Sequence, residues 1–367
     1  MTNPLTITVE EMLEEKNKIL IDLRSPGEYR KGTIDNAMNI PILDDEERAI
    51  VGTIYKNESR ESAKITGIHH VSARLERMTS QISGLLKECP CVILFCSRGG
   101  YRSGPLVQLL NSLEIPVKQL VGGYKRYRQV IIEYFEAPMK VNHSFIVIHG
   151  YTGCGKTTLL KQLKSEGHPV IDLEGLARNS GSVFGFIGHS KEKMTQKQFD
   201  SLLFHQLIHL KNQYIIVESE SQRIGDITIP REIHRQMVAG KHVLLHTTLD
   251  LRIEQIMSDY WGVLEHDEAD IQKALGDLVK FLGHEKIHQL QQMLSQKSYR
   301  EIARELMVSY YDPLYCHSIK KYAYDLEITY DTINEAHKKI KKYIWQMTDN
   351  FGVSTEENAF NTENVSD

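Results

Sequence analysis

Cys91-Val92-Ile93-Leu94-Phe95-Cys96-Ser97-Arg98-Gly99-Gly100-Tyr101-Arg102-Ser103 decides how the first part of this chain is read. The apolar run Cys91 to Phe95 predicts a buried strand, and Gly104 to Leu113 predicts a helix. A cysteine between them stands where the backbone can curl around its sulfur. Successive N–H groups and the positive end of the following helix then favour thiolate over thiol. Arg98 and Arg102 add full charges. Cys96 is therefore a candidate nucleophile or chalcogen carrier, and Ser97, Arg98, Gly99, Gly100, Tyr101 and Arg102 form a candidate anion cradle. The plain alternative is a structural cysteine followed by a Gly-rich turn.

The surroundings of this stretch alternate strand and helix signals. Lys18 to Leu23 reads as a short buried strand, and Val117 to Val121 as another, closing at Gly122-Gly123. Ser25-Pro26-Gly27-Glu28 combines an N-cap, proline at the first helical position and glutamate three residues after the cap. Such alternation predicts a parallel α/β sheet. Ala137-Pro138 marks a boundary.

A second α/β unit opens with the strand Ser144 to His149 and runs on through Gly150-Tyr151-Thr152-Gly153-Cys154-Gly155-Lys156-Thr157. That octapeptide fits G-x-x-x-x-G-K-[ST] between a predicted strand and a predicted helix (Thr157 to Glu166), the context that gives the motif its meaning. Gly150, Gly153 and Gly155 let amides wrap a phosphate, Lys156 reaches distal phosphates, and Thr157, with Thr158 beside it, can contribute hydroxyls to phosphate or magnesium. Tyr214 to Glu218 is a further buried strand whose last residue occupies the place of a Walker B acid, with glutamate where aspartate is usual. Glu218, Arg178 and Arg223 are candidate magnesium or phosphate ligands. Cys154 lies inside the phosphate loop as a small spacer, and the sixteen histidines show no metal-site spacing, so no structural metal is assigned.

Composition narrows the class. The chain has 367 residues, 41% hydrophobic and 25% charged, enough for two or three packed domains. No apolar run approaches the roughly 20 residues of a membrane span, and Met1-Thr2-Asn3-Pro4 does not read as a secretory signal. Five cysteines, odd in number, suggest a reducing cytoplasm. A net charge of −4 argues against a dedicated nucleic-acid coat protein, but Gly123 to Arg128 and His337 to Tyr343 are local basic clusters that permit RNA contact. Beyond Leu251 the strand signals stop and charged, Leu-rich helical patterns run to about Met347. The expected organisation is a parallel-sheet domain over residues 1–138, a P-loop α/β domain over 139–250, a helical region over 251–350, and an acidic tail over 351–367 that reads as disordered.

Ile21 to Tyr29 and Gly32 to Pro41 resemble the entry motifs of a rhodanese domain, with Cys96 at the persulfide-carrying position. Five residues separate Cys96 from Arg102, where common sulfurtransferases of that fold have four; this longer loop is similar to that of rhodanese-fold phosphatases. A rhodanese domain followed by a P-loop, Asp172 to Arg178 and Glu218-Ser219-Glu220-Ser221 resembles the bacterial tRNA 2-selenouridine synthase family.

The resemblance implies a two-step reaction on 2-thiouridine at the wobble position of lysine, glutamate and glutamine tRNAs. The sulfur is first geranylated from geranyl diphosphate, and selenium from selenophosphate then replaces the S-geranyl group. It implies that Cys96 either carries selenium as S-selanylcysteine or guides selenophosphate, and that the P-loop holds a diphosphate. No cofactor is expected to be tightly bound, magnesium is compatible with the site, and the expected partners are those tRNAs and an enzyme supplying selenophosphate to a monomer. Phe184 and Phe186 are candidates for a geranyl pocket, with buried core as their plainer reading. Rival readings are a phosphatase or arsenate reductase, which share the Cys-x5-Arg spacing, and a P-loop NTPase using the first domain as a sulfur carrier.

Overall fold

The computed structural model describes residues 5–137, 144–178, 193–210, 214–264 and 268–350. Phe184, Phe186 and the acidic tail lie outside the described residues.

Five strands build the first sheet: β1 (Thr6–Ile7), β2 (Ile19–Asp22), β3 (Met38–Asn39), β4 (Val92–Phe95) and β5 (Lys118–Leu120). They lie in the order β1-β5-β4-β2-β3, every pair parallel. The capping box at Ser25 and Glu28 forms and starts the helix Pro26–Arg30. The strand expected at Val117 to Val121 is trimmed to β5, and the two-residue strands β1 and β3 are too short to leave a periodic signal.

The second sheet contains β6 (Ser144–Gly150), β7 (Val170–Ile171), β8 (Tyr214–Glu218), β11 (Lys241–His246) and β12 (Leu326–Thr329), in the order β12-β11-β6-β8-β7, again all parallel. A separate hairpin joins β9 (Arg223–Ile224) and β10 (Ile227–Thr228). Strand β12 corrects the expectation that strands stop after Leu251. Four residues with only Ile328 buried among them give no run or alternation long enough to stand out, and β12 is fixed by a partner distant in sequence.

Successive strand residues point to opposite faces, which divides the apolar side chains into layers. In β4, Val92 and Leu94 enter a core with Met78, Ile82, Leu106 and Leu110, whereas Ile93 and Phe95 face the other way. In β6, Ile146 and Ile148 pack on the helix Lys156–Ser165, whereas Phe145 and Val147 face the other way. Those two opposite faces share one apolar layer. The helix Gly123–Glu136 supplies Tyr127, Ile131 and Phe135 to it, and the helix Gln196–His209 supplies Phe199, Leu203 and Phe204. Within this layer Tyr127 Oη lies 2.5 Å from Ser201 Oγ, and Arg128 pairs with Asp200 at 2.6 Å. The two sheets are thus joined through a common core.

The helices from Leu249 to Ile319 build their own cluster around Leu275, Leu290, Ile302 and Leu306. The last helix, Ile333–Asn350, returns to the second sheet and buries Ala336, Ile340 and Ile344 against Leu159 and Leu163. Among the described residues no helix is long and apolar enough to cross a membrane.

Phe204 is buried in the shared layer, with its ring edge-on to Tyr127 and Tyr134. Phe204→Ala is expected to cost about 3–5 kcal/mol in urea unfolding. Fluorescence and thiol-exposure probes of the first sheet should shift together with those of the second; independent shifts would mean the layer does not couple them.

Candidate functional site

Cys96 follows β4 directly, and its side chain is buried. Ser103 Oγ lies 3.2 Å from Sγ and itself accepts a hydrogen bond from Gln119 Nε2 at 3.1 Å. With that acceptor position filled, the serine hydroxyl proton is free to point at sulfur. Burial opposes ionisation of Cys96, but the Ser103 hydroxyl and the backbone amides of Arg98, Gly100 and Ser103 outweigh it, so the thiol is held below its ordinary range. The loop has a rigid backing. Tyr124 N–H donates to Cys96 O and Lys125 N–H to Ser97 O, both at 2.9 Å. Gly123 has φ +56°, and any Cβ there would run into Cys96 O and Gly99 N.

The candidate cradle residues separate into two groups. The amides of Arg98 and Gly100 turn toward sulfur, and Gly99 takes the left-handed backbone (φ +63°) that the turn requires. Gly99 O accepts from Gln119 Nε2, and Ser97 is half-buried. Arg102 is held by Glu28 through contacts of 2.5 and 3.2 Å, with Arg48 3.6 Å from the same carboxylate. Glu28 thus serves as helix cap and as orienter of Arg102, and only the first role was legible from its spacing. The Arg98 side chain, by contrast, is exposed and lines a surface cavity of about 360 Å³ with Lys125 and Arg126. Tyr101 is exposed at the loop tip, its ring 5.0 Å from Lys64 Nζ.

The second site lies where β6 ends. Gly150, Gly153 and Gly155 all have positive φ, and Gly155 starts the helix Lys156–Ser165. Lys156 is buried, donates to Gly150 O at 3.0 Å, and lies 3.4 Å from Glu218 Oε1. Burial opposes its charge, but the carboxylates of Glu218 and Glu174 more than offset this and raise its pKa. Thr157 is exposed in the first turn, and Thr158 Oγ1 accepts from Gln255 Nε2 at 3.2 Å. Burial pushes the Cys154 thiol upward, consistent with a spacer.

Glu174, Glu218 and Glu220 bring carboxylate oxygens within 4.8 Å of one another. Burial and the two neighbouring carboxylates push Glu220 well above the usual carboxylate range. Such a set of oxygen donors suits a hard divalent cation. Glu174 comes from the helix Leu173–Ala177, which Asp172 caps, so the motif around Asp172 places an acid that its sequence alone left without a role. Arg178 ends that helix in a left-handed conformation with its side chain exposed. Arg223 turns away: its Nε donates to Gly225 O in the exposed β9–β10 hairpin.

The helical region clamps the phosphate loop. Arg252 Nε donates to Thr152 O at 2.8 Å, and its guanidinium is gripped by Asp312. Tyr330, just after β12, donates to Cys154 O. Tyr315 places its ring 5.7 Å from Lys156 Nζ. These residues carry no motif, and only the fold brings them to the loop.

A thiol cradle on one parallel sheet and a phosphate loop on another define a rhodanese-type domain joined to a P-loop domain. Residues 7–130 match the rhodanese-like domain, and residues 143–349 match the tRNA 2-selenouridine synthase AAA domain. The chain belongs to the tRNA 2-selenouridine synthase family. It is 35% identical to the tRNA 2-selenouridine synthase of Nitrosomonas eutropha over 66% of this chain and 62% of that one. The relative from Hydrogenovibrio crunogenus is 32% identical over 85% of this chain and 92% of its own length, and that from Chromohalobacter salexigens is 31% identical over 83% and 89%. Against the Nitrosomonas relative, the match spans less than two thirds of that protein's length.

The Ser103 contact predicts the reactivity of Cys96. Alkylation of the Cys96 peptide, followed by mass spectrometry across pH, should show a midpoint below the ordinary thiol value of about 8.5. Ser103→Ala should move that midpoint upward; an unchanged midpoint would assign the effect to the backbone amides alone.

Proposed function

We propose that this chain converts wobble 2-thiouridine in lysine, glutamate and glutamine tRNAs to 2-selenouridine, by S-geranylation with geranyl diphosphate and then selenation with selenophosphate. The observation that carries the reading is the pairing, in a member of this family, of a thiolate cradle at Cys96 with a phosphate loop at Lys156 on sheets that share a core. Its expected partner besides tRNA is an enzyme that supplies selenophosphate, and the chain is expected to act as a monomer.

In the first step the 2-thio sulfur bonds C1 of the geranyl donor, the C1–O bond breaks, diphosphate leaves with the electron pair, and the base gives up its N3 proton to solvent. Amides of Gly153 to Lys156 and the Lys156 ammonium suit that leaving group, because preformed donors cost no reorganisation as charge develops. Glu174, Glu218 and Glu220 would hold magnesium, which supplies further charge neutralisation when bound. In the second step selenium bonds C2, the C2–S bond breaks, geranylthiol leaves, and water takes the phosphoryl group as phosphate. The amides around Cys96, together with Arg102 fixed by Glu28, suit the selenophosphate anion. In that loop Cys96 positions selenophosphate for the attack on C2, and selenium transfer depends on it.

Nucleoside mass spectrometry separates the half-reactions. Cys96→Ser should abolish 2-selenouridine while S-geranylated RNA still accumulates, and Lys156→Ala should slow geranylation by about 100-fold or more, the scale of losing one transition-state donor. Selenouridine formed by Cys96→Ser at the wild-type rate would sink the cysteine's role. Phosphate release from an aryl phosphate, lost in the same variant and without any RNA product, would favour the phosphatase reading.

Divalent-ion binding tests the acidic cluster apart from turnover. The raised Glu220 carboxyl must lose its proton to coordinate, so calorimetric affinity for magnesium or manganese should rise with pH through that raised value. Glu220→Gln should flatten the profile; a pH-independent affinity in the wild type would remove Glu220 from the ligand set.

A further inference from the structure

The helix Ile333–Asn350 has an outer face that its packing does not explain. Lys338, Lys342 and Trp345 stand at i, i+4 and i+7, one stripe of a helix, opposite the buried Ala336, Ile340 and Ile344. The lysines on the flanks are neutralised, Lys339 by Glu335 and Lys341 by Glu166. Lys338 and Lys342 are exposed and meet no carboxylate among the described residues. Between them and the helix end, Trp345 is 63% exposed.

The surface continues around the edge of the second sheet. Tyr343 is within electrostatic range of Lys241 and Asp325, and these two residues line a cavity of about 470 Å³. Its other walls include His242, Lys321, Tyr322 and Tyr324, with the His242 and Tyr322 rings 4.5 Å apart. Lys321 is exposed and also lacks an ion-pair partner among the described residues.

The solvent-facing Trp345 ring among uncompensated lysines, with half-buried tyrosines in the cavity beside it, matches the chemistry of unpaired nucleotides. Bases stack on the rings while ammonium groups lie along the phosphates. A duplex backbone needs cations without exposed rings, and an apolar protein surface gains nothing from three uncompensated lysines. We propose that the outer face of this helix and the adjoining cavity form a binding surface for single-stranded RNA, separate from the Cys96 loop and the P-loop. The proposal rests on the tRNA reading above, and its ligand would be an unpaired loop of the substrate RNA.

Fluorescence anisotropy with the full chain tests it, using whole tRNA and a perfectly paired RNA stem as probes. Trp345→Ala should weaken tRNA binding by about tenfold, within the range for one base–aromatic stack. Lys338→Ala with Lys342→Ala should reduce the slope of log affinity against log salt by about 1.4, roughly 0.7 for each single-strand phosphate contact. Binding of the paired stem should change less than binding of tRNA. Because these side chains are exposed, melting temperature and diphosphate binding should stay at wild-type values, which separates surface loss from misfolding. Wild-type chain that binds no tRNA overturns the functional reading and the surface together. Wild-type binding that the variants leave unaltered overturns the surface alone. Unaltered RNA affinity with loss of self-association in Trp345→Ala would assign the face to a second copy of the chain instead.

Discussion

Two hydrogen bonds at the start of one helix hold much of this molecule together. The amides of Tyr124 and Lys125, in the first turn of Gly123–Glu136, bind the carbonyls of Cys96 and Ser97. The same helix sends Tyr127, Ile131 and Phe135 into the layer shared by both sheets. The reactive loop therefore does not sit on a free surface turn. It is fastened to the element that also positions the second domain, and glycine at 123 is required because a side chain there would occupy the space of the Cys96 carbonyl. The cysteine loop and the layer shared by the sheets are thus attached to one and the same helix.

The two sites solve opposite electrostatic problems. Around Cys96 the surroundings are donors, three amides and a hydroxyl, so a negative sulfur is favoured in a place where burial alone would suppress it. At the P-loop one buried lysine lies near three carboxyl groups; Glu218 and Glu174 raise the lysine against its burial, while burial first and then the same two carboxylates raise Glu220. The first is arranged to hold an anion directly. The second sets a lysine beside three clustered carboxyl groups, an oxygen-donor set of the kind that suits a divalent cation.

Much of this was legible in the sequence because it is local. The strand before Cys96, the turn after it, the capping box at Ser25 and the phosphate loop are all set by neighbours within a few residues. What escaped was set at a distance. Glu28 reaches Arg102 across 74 positions, Arg252 reaches Thr152 across 100, and Tyr330 reaches Cys154 across 176. None of these partners has a spacing that advertises it. Strand β12 failed to register for the same reason, its place being decided by β11 and not by its own four residues. Arg223 shows the converse: a sequence position close to an acidic strand end, but a hairpin that carries the side chain elsewhere.

Strand β12 also bears on how the chain comes to be folded. It lies beside β11, yet residues 247–325, whose described part is mostly helical, are made between the two. During synthesis the first sheet can close early, since its last strand ends at Leu120. The second sheet, together with the tyrosine that steadies its phosphate loop, must wait until almost the whole chain has emerged. Non-local closure of this kind is slow and leaves an open strand edge in the interim. A chain cut short within the helical region would thus hold every strand of the first sheet but lack β12 and the Tyr330 contact to the phosphate loop.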